Sequence, residues 1–134
     1  MSKSLRIGNL ILFVVIVFSC KKDGTVIDNK VVPGSIYFEV HAMHHTWDVP
    51  GMKVYLKKNA TEFPGKDSTL YEYNGTTDGY GKYTFEKLYP GNYYLYASGY
   101  DSTWGANVTG STAINLNSNN VVDDQAKYIL IVSE

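Results

Sequence analysis

From Ser35 to the end of the chain, apolar residues alternate with polar ones in short runs, broken by Gly, Pro, Asn and Asp. A period of two between turn formers predicts strands, and no stretch keeps a helical period over a useful length. The pattern predicts seven strands, near residues 35–44, 51–58, 69–74, 81–87, 92–99, 107–116 and 125–133, with turns at Asp78-Gly79 and Pro90-Gly91. Alternation assigns their inner faces: Ile36, Phe38 and Val40; Met52, Val54 and Leu56; Tyr83, Phe85 and Leu88; Tyr93, Leu95 and Ala97. Seven antiparallel strands over about a hundred residues make an all-β, seven-stranded antiparallel sandwich of two sheets.

The beginning of the chain has a different pattern. Lys3 and Arg6 precede an unbroken apolar run from Leu10 to Phe18, and the small residue Ser19 stands before Cys20. That is the layout of a secretory signal. As a helix the run would span roughly 14 Å against a hydrocarbon core of ~30 Å, too short to cross a bilayer stably. Residues 1–19 are therefore expected to be a signal peptide. Cys20 is the only cysteine, so an exported chain forms no internal disulfide and carries one thiol with no partner. Residues 20–33 are polar, without strand or helix period until Val31, and are read as a tether; residues 34–134 are the domain.

Composition narrows the functions open to the domain. The chain has 134 residues, twelve tyrosines, twelve glycines and a formal charge of −1. Without residues 1–19 the charge becomes −3, because Lys3 and Arg6 leave and no carboxylate does, and no arginine remains. That argues against a nucleic-acid partner, and against bidentate recognition of phosphate or carboxylate. Catalysis is not expected either. Neither a Gly-x-Ser-x-Gly elbow nor a His-Glu-x-x-His pair is present, and the one carboxylate pair, Asp123-Asp124, falls in a predicted loop.

Two stretches carry resemblances. Val17-Phe18-Ser19-Cys20 resembles the lipobox of bacterial lipoprotein precursors, which implies cleavage before Cys20, acyl chains on its sulfur and attachment to a membrane of the cell envelope. From Thr77 to Ala97 the pattern T-D-x-x-G-x-Y-x-F-x-x-L-x-P-G-x-Y-x-L resembles carboxypeptidase regulatory-like and collagen-adhesin B-type domains, whose fold is the transthyretin-like (prealbumin) sandwich. With Pro50–Leu56 the likeness covers roughly residues 34–116. Together the two resemble small lipoproteins of Bacteroidota, with the outer membrane as the expected location. The hydroxyisourate hydrolases of this fold carry a C-terminal Tyr-Arg-Gly-Ser signature, whereas this chain ends Ile131-Val132-Ser133-Glu134. The Lys-Asn crosslink of some adhesin domains needs a first-strand lysine that is lacking here.

His41, His44 and His45 form the obvious metal candidate, but strand geometry opposes one site. Adjacent residues face opposite ways, and His41 and His45 stand about 13 Å apart along a strand. No metal and no cofactor are therefore expected. If strands run alternately up and down, the loops after the first, third and fifth share one end. His44, His45, Trp47 and Asp48 then lie beside Asp78 and Tyr80, and beside Tyr100, Asp101 and Trp104. This rim is the expected ligand site, for a glycan or a protein segment. The opposite end has Phe63, Pro64, Tyr89 and Asn117–Asn120. A second aromatic set, Tyr55, Tyr94 and Tyr96, is expected to form an outward stripe. Asp67-Ser68-Thr69 and Asp101-Ser102-Thr103 resemble the O-glycosylation acceptors of Bacteroidota, at Ser68 and Ser102. The competing reading is an accessory lipoprotein whose sandwich is a spacer.

Overall fold

The computed structural model describes residues 32–134, and the signal-peptide, Cys20 and most of the tether readings lie outside them. Eight strands form two four-stranded sheets: β1 (Ile36–His44), β2 (Trp47–Asp48), β3 (Lys53–Lys58), β4 (Tyr73–Thr76), β5 (Lys82–Leu88), β6 (Gly91–Asp101), β7 (Ala106–Leu116) and β8 (Gln125–Val132). The second sheet has the order β4-β3-β6-β7, all antiparallel. In the first, β1 is central. It pairs antiparallel with β5 and β2, and parallel with β8 from Tyr37↔Gln125 to His44↔Val132. Ala42 donates its N–H to the Gly81 carbonyl and accepts the Val49 N–H, so β5 and the β2 end share one edge of β1, leaving β8 the other.

The all-β sandwich is as the alternation predicts, with two differences. A two-residue strand, β2, pairs Trp47 with His44 and is too short to leave a period in the sequence. The predicted strand at 69–74 divides, because the Asp67 side chain caps a short 3₁₀ turn at Ser68–Leu70 and pairing begins only at Tyr73. The expectation that every pairing is antiparallel is also corrected: β1 and β8 pair parallel, because strands that alternate in direction point the first and seventh long strands the same way, and the fold sets these two side by side.

Every residue predicted to face inward is buried except Tyr83, which packs half-buried against the cluster. Val108, Ile114, Leu116, Ala126, Leu130 and Val132 complete the core from the last two strands. The Thr77–Gly81 motif is also explained. Thr77 Oγ1 accepts the Met52 N–H and donates to the Val49 carbonyl, while Asp78 accepts the N–H groups of Tyr80 and Lys82. Those two N–H bonds, with the nearby Lys82 and His41 charges, hold the Asp78 carboxyl below its usual range. Gly81 has φ +70°, and a Cβ there would stand 2.7 Å from the Ala42 carbonyl oxygen, so the turn admits only glycine.

Candidate functional site

The core stripe of β1 ends in a polar residue. His44 follows Ile36, Phe38, Val40 and Ala42 on the inner face, and it is 3% exposed. β6 ends likewise at Asp101, also 3% exposed, and the two meet: His44 Nδ1 lies 2.9 Å from Asp101 Oδ2. The carboxylate can only accept, so Nδ1 is the donor. The other Asp101 oxygen accepts the N–H of Thr103 at 2.8 Å and of Trp104 at 3.4 Å. Burial pushes the Asp101 carboxyl up, but the bonds from His44, Thr103 and Trp104 and the imidazole charge outweigh it, and it titrates below the usual range. Asp101 thereby fixes three things at once: the end of β1, the end of β6 and the turn carrying Trp104.

An aromatic cluster stands on that pair. The two-residue loop His45-Thr46 reverses the chain with His45 at φ +56°, which folds its ring onto His44 at 4.4 Å between centroids. Trp104 closes on both, at 6.0 Å from His44 and 5.1 Å from His45. The indole nevertheless stays 53% exposed, and Trp47 is 57% exposed. Tyr80 and Tyr100 are exposed at the same end. None of Trp47, Tyr80, Tyr100 and Trp104 stacks on another, so they are separate platforms and not one cage.

The rim predicted from strand direction is thus brought together, with a division of labour the sequence did not show. His44 and Asp101 are buried holders of the rim. Asp48 turns to the outer face of the first sheet, where its Oδ1 lies 2.7 Å from His41 Nε2. Two of the three histidines are thus paired with carboxylates, His41 with Asp48 and His44 with Asp101, while His45 packs on His44 and Trp104. His44 and His45 stack with their ring planes 25° apart, and His44 Nδ1 is taken by Asp101. Among the described residues no group of three or more His, Cys, Asp or Glu is placed to hold a metal.

The stripe Tyr55, Tyr94 and Tyr96 does face outward from the second sheet, but it is not an open platform. The connection from β3 to β4 folds back over it. Tyr71 packs on Tyr55 and Tyr96 at 5.5 and 6.1 Å, and Phe63 on Tyr94 and Tyr96 at 5.9 and 5.4 Å. Tyr96 is left buried, and so is Tyr71, whose hydroxyl donates to the Gly65 carbonyl. Burial, together with Tyr96 and Tyr94 alongside, pushes the Tyr71 phenol up to about 12. The expectation of an exposed stripe is corrected: these tyrosines form a second small core. Ser68 and Ser102 are both exposed, and in each triplet the aspartate accepts the N–H of the threonine two residues on.

The fold defines a class, the all-β sandwich of two four-stranded sheets. No family model matches the chain, and no curated protein matches it. Among solved structures it is similar to BcpA, the major pilin subunit of Bacillus cereus, with 13% identity and a TM-score of 0.51 over 75% of this chain. The D312A form of that pilin gives the same identity and score over 77%. The chain spans about 30% of the pilin's length, and at this identity the likeness is one of fold alone. A protein of Pseudomonas aeruginosa for which carbohydrate binding has been suggested aligns over 73% of this chain and 88% of its own, with 15% identity and a TM-score of 0.47.

Proposed function

We propose that this chain is a non-enzymatic binding module, held at the cell envelope by lipid on Cys20, whose rim takes an extended neutral glycan. The observation that carries this reading is the gathering of Trp47, Tyr80, Tyr100 and Trp104, each more than half exposed, at one end of a rigid sandwich. Exposed large aromatics gathered on one surface mark an interaction site, whereas ones scattered singly do not. Separate flat faces suit successive rings of an oligosaccharide better than a single small cation. The domain offers no arginine for an anionic ligand. A spacer role would leave both exposed indoles unexplained.

The test is a glycan array, followed by titration of the best binder with the Trp47→Ala/Trp104→Ala double variant. Each platform at about 1 kcal/mol, the scale of an aromatic contact, gives a combined loss of about 30-fold in affinity. The fold should survive with less than about 1 kcal/mol lost, since both indoles are on the surface. No glycan bound by the unaltered protein, or undiminished binding by the double variant, would refute the reading.

Glycosylation at Ser68 and Ser102 is the companion proposal, supported by the shared turn geometry and exposure of the two triplets. Glycopeptide mass spectrometry on protein from the native host should find a hexose-containing mass on both; bare serines would end it. A glycan on Ser102 would stand two residues from Trp104 and shield that platform, so its occupancy should correlate inversely with ligand binding.

A further inference from the structure

His44 has a second ring nitrogen, and its state follows from the first. Nδ1 donates to Asp101 Oδ2 at 2.9 Å, because a carboxylate can only accept. A neutral imidazole carries one proton, so with Nδ1 holding it Nε2 is a bare acceptor. Among the described residues Nε2 has no hydrogen-bond partner. Nor is it sealed in: among the described residues no fully buried side-chain nitrogen or oxygen lacks a partner, so an unpaired Nε2 opens at the rim surface. The rest of the ring is covered, by His45 stacked at 4.4 Å and by Trp104 at 6.0 Å with its plane turned 67°. Register brings in the other indole. Trp47 is the β2 partner of His44, so the two side chains leave the strand pair on one face. The open nitrogen thus belongs to a residue that neighbours both exposed indoles.

We infer that His44 Nε2 is the acceptor by which the rim reads its ligand, taking the proton of one sugar hydroxyl while the sugar rings lie on the indoles beside it. The inference rests on the glycan reading and adds a requirement to it. An acceptor held in this state favours a hydroxyl and turns away groups that can only accept, such as a carboxylate, a phosphate or an ether oxygen. The sugar over His44 must therefore keep one hydroxyl free. A deoxy, methylated or further linked position there would cover Nε2 without answering it, and a polar atom left unpaired on burial weakens affinity by about tenfold or more. Asp101 is a positioning residue in this scheme. It touches no ligand, but it keeps the proton on Nδ1, and through the Thr103 and Trp104 N–H groups it also fixes the turn that carries one indole. Acceptor and platform are aligned by one buried carboxylate.

The test uses the full chain labelled with ¹⁵N, at about pH 8, above the ordinary histidine pKa of ~6.5. Long-range ¹H–¹⁵N correlation reads each ring nitrogen as protonated or bare. His44 should show a protonated Nδ1 and a bare Nε2, and the Nε2 resonance should move when the best-binding glycan of the array is added. One monodeoxy analogue of that glycan should bind about tenfold more weakly than its parent. His44→Phe keeps an aromatic ring in the stack without the acceptor, so it should bind parent and analogue alike. Should that variant fail to fold, the resonance and the analogues on the unaltered protein decide. A proton on Nε2, an Nε2 resonance unmoved by a bound glycan, or a full set of monodeoxy analogues that bind like the parent overturns this inference and leaves the glycan reading standing. An array with no binder overturns both.

Discussion

Replacing Asp101 with Ala should cost the domain about 3 kcal/mol, more than any other single change at the rim. The carboxylate is buried and answers three donors, the His44 imidazole and the Thr103 and Trp104 N–H groups. Its removal leaves all three in a space with little water, and breaking a buried pair from one side typically costs about 3–5 kcal/mol. For a domain of this size that is a fall in Tm of at least about 10 °C, read by calorimetry. Binding should weaken as well, because the Trp104 turn loses its anchor. Asp101→Asn should be milder, since its amide oxygen still accepts the two N–H groups, and this separates the turn from the imidazole. The same residue sets an acid limit. Its carboxyl titrates below the usual value in the folded state, so its contribution is complete above the unfolded pKa of ~3.9 and is lost as pH falls through the folded one. Stability measured from pH 6 downward should decline in that acid range, and the decline should be shallower in Asp101→Asn. A steeper or unchanged slope in that variant would mean that other carboxylates govern it.

Changing Cys20 to Ala should move the protein from the membrane fraction to the soluble fraction with its fold intact. Each buried CH₂ contributes ~0.8 kcal/mol, so one acyl chain gives only marginal, reversible anchoring and two or more give stable anchoring. The expected difference is therefore nearly complete. Fractionation of the native host reports it directly, and intact-mass analysis of the detergent-extracted protein should give a chain starting at an acylated Cys20. An unmodified chain, or a Cys20→Ala variant still pelleting with membranes, would remove the lipid from the account. The thermal transition should be unaltered, because Cys20 precedes the sandwich by more than ten residues.

Strand alternation made most of the core legible, because Ile36, Phe38 and Val40 repeat with a period that one buried face alone imposes. The run Tyr128–Val132 shows the limit. Five apolar residues in a row do not distinguish their faces, yet Leu130 and Val132 are buried while Ile129 and Ile131 face out. Rim membership was legible from strand direction alone, which needs no knowledge of sheet order. The roles of its members were not. That His44 and Asp101, 57 positions apart, meet in the interior depends on β1 and β6 facing each other across the two sheets. Phe63 and Tyr71 were missed as partners of the tyrosine stripe for a related reason. A loop has no period, so where it folds back is written in long-range packing and not in local sequence.

β1 begins beside the foot of the molecule and ends at the rim, nine residues or roughly 30 Å later. A ligand held at the rim and a tether pulling on residue 32 would therefore stretch the domain along the axis of its central strand. The hydrogen bonds that resist lie across that axis, on both edges of β1, with β5 and over eight consecutive residue pairs with β8. Tension of this kind must slide β1 past both neighbours at once, so the ladders fail together and not one rung at a time. If the tether and the ligand act as proposed, the sandwich would bear its load in shear.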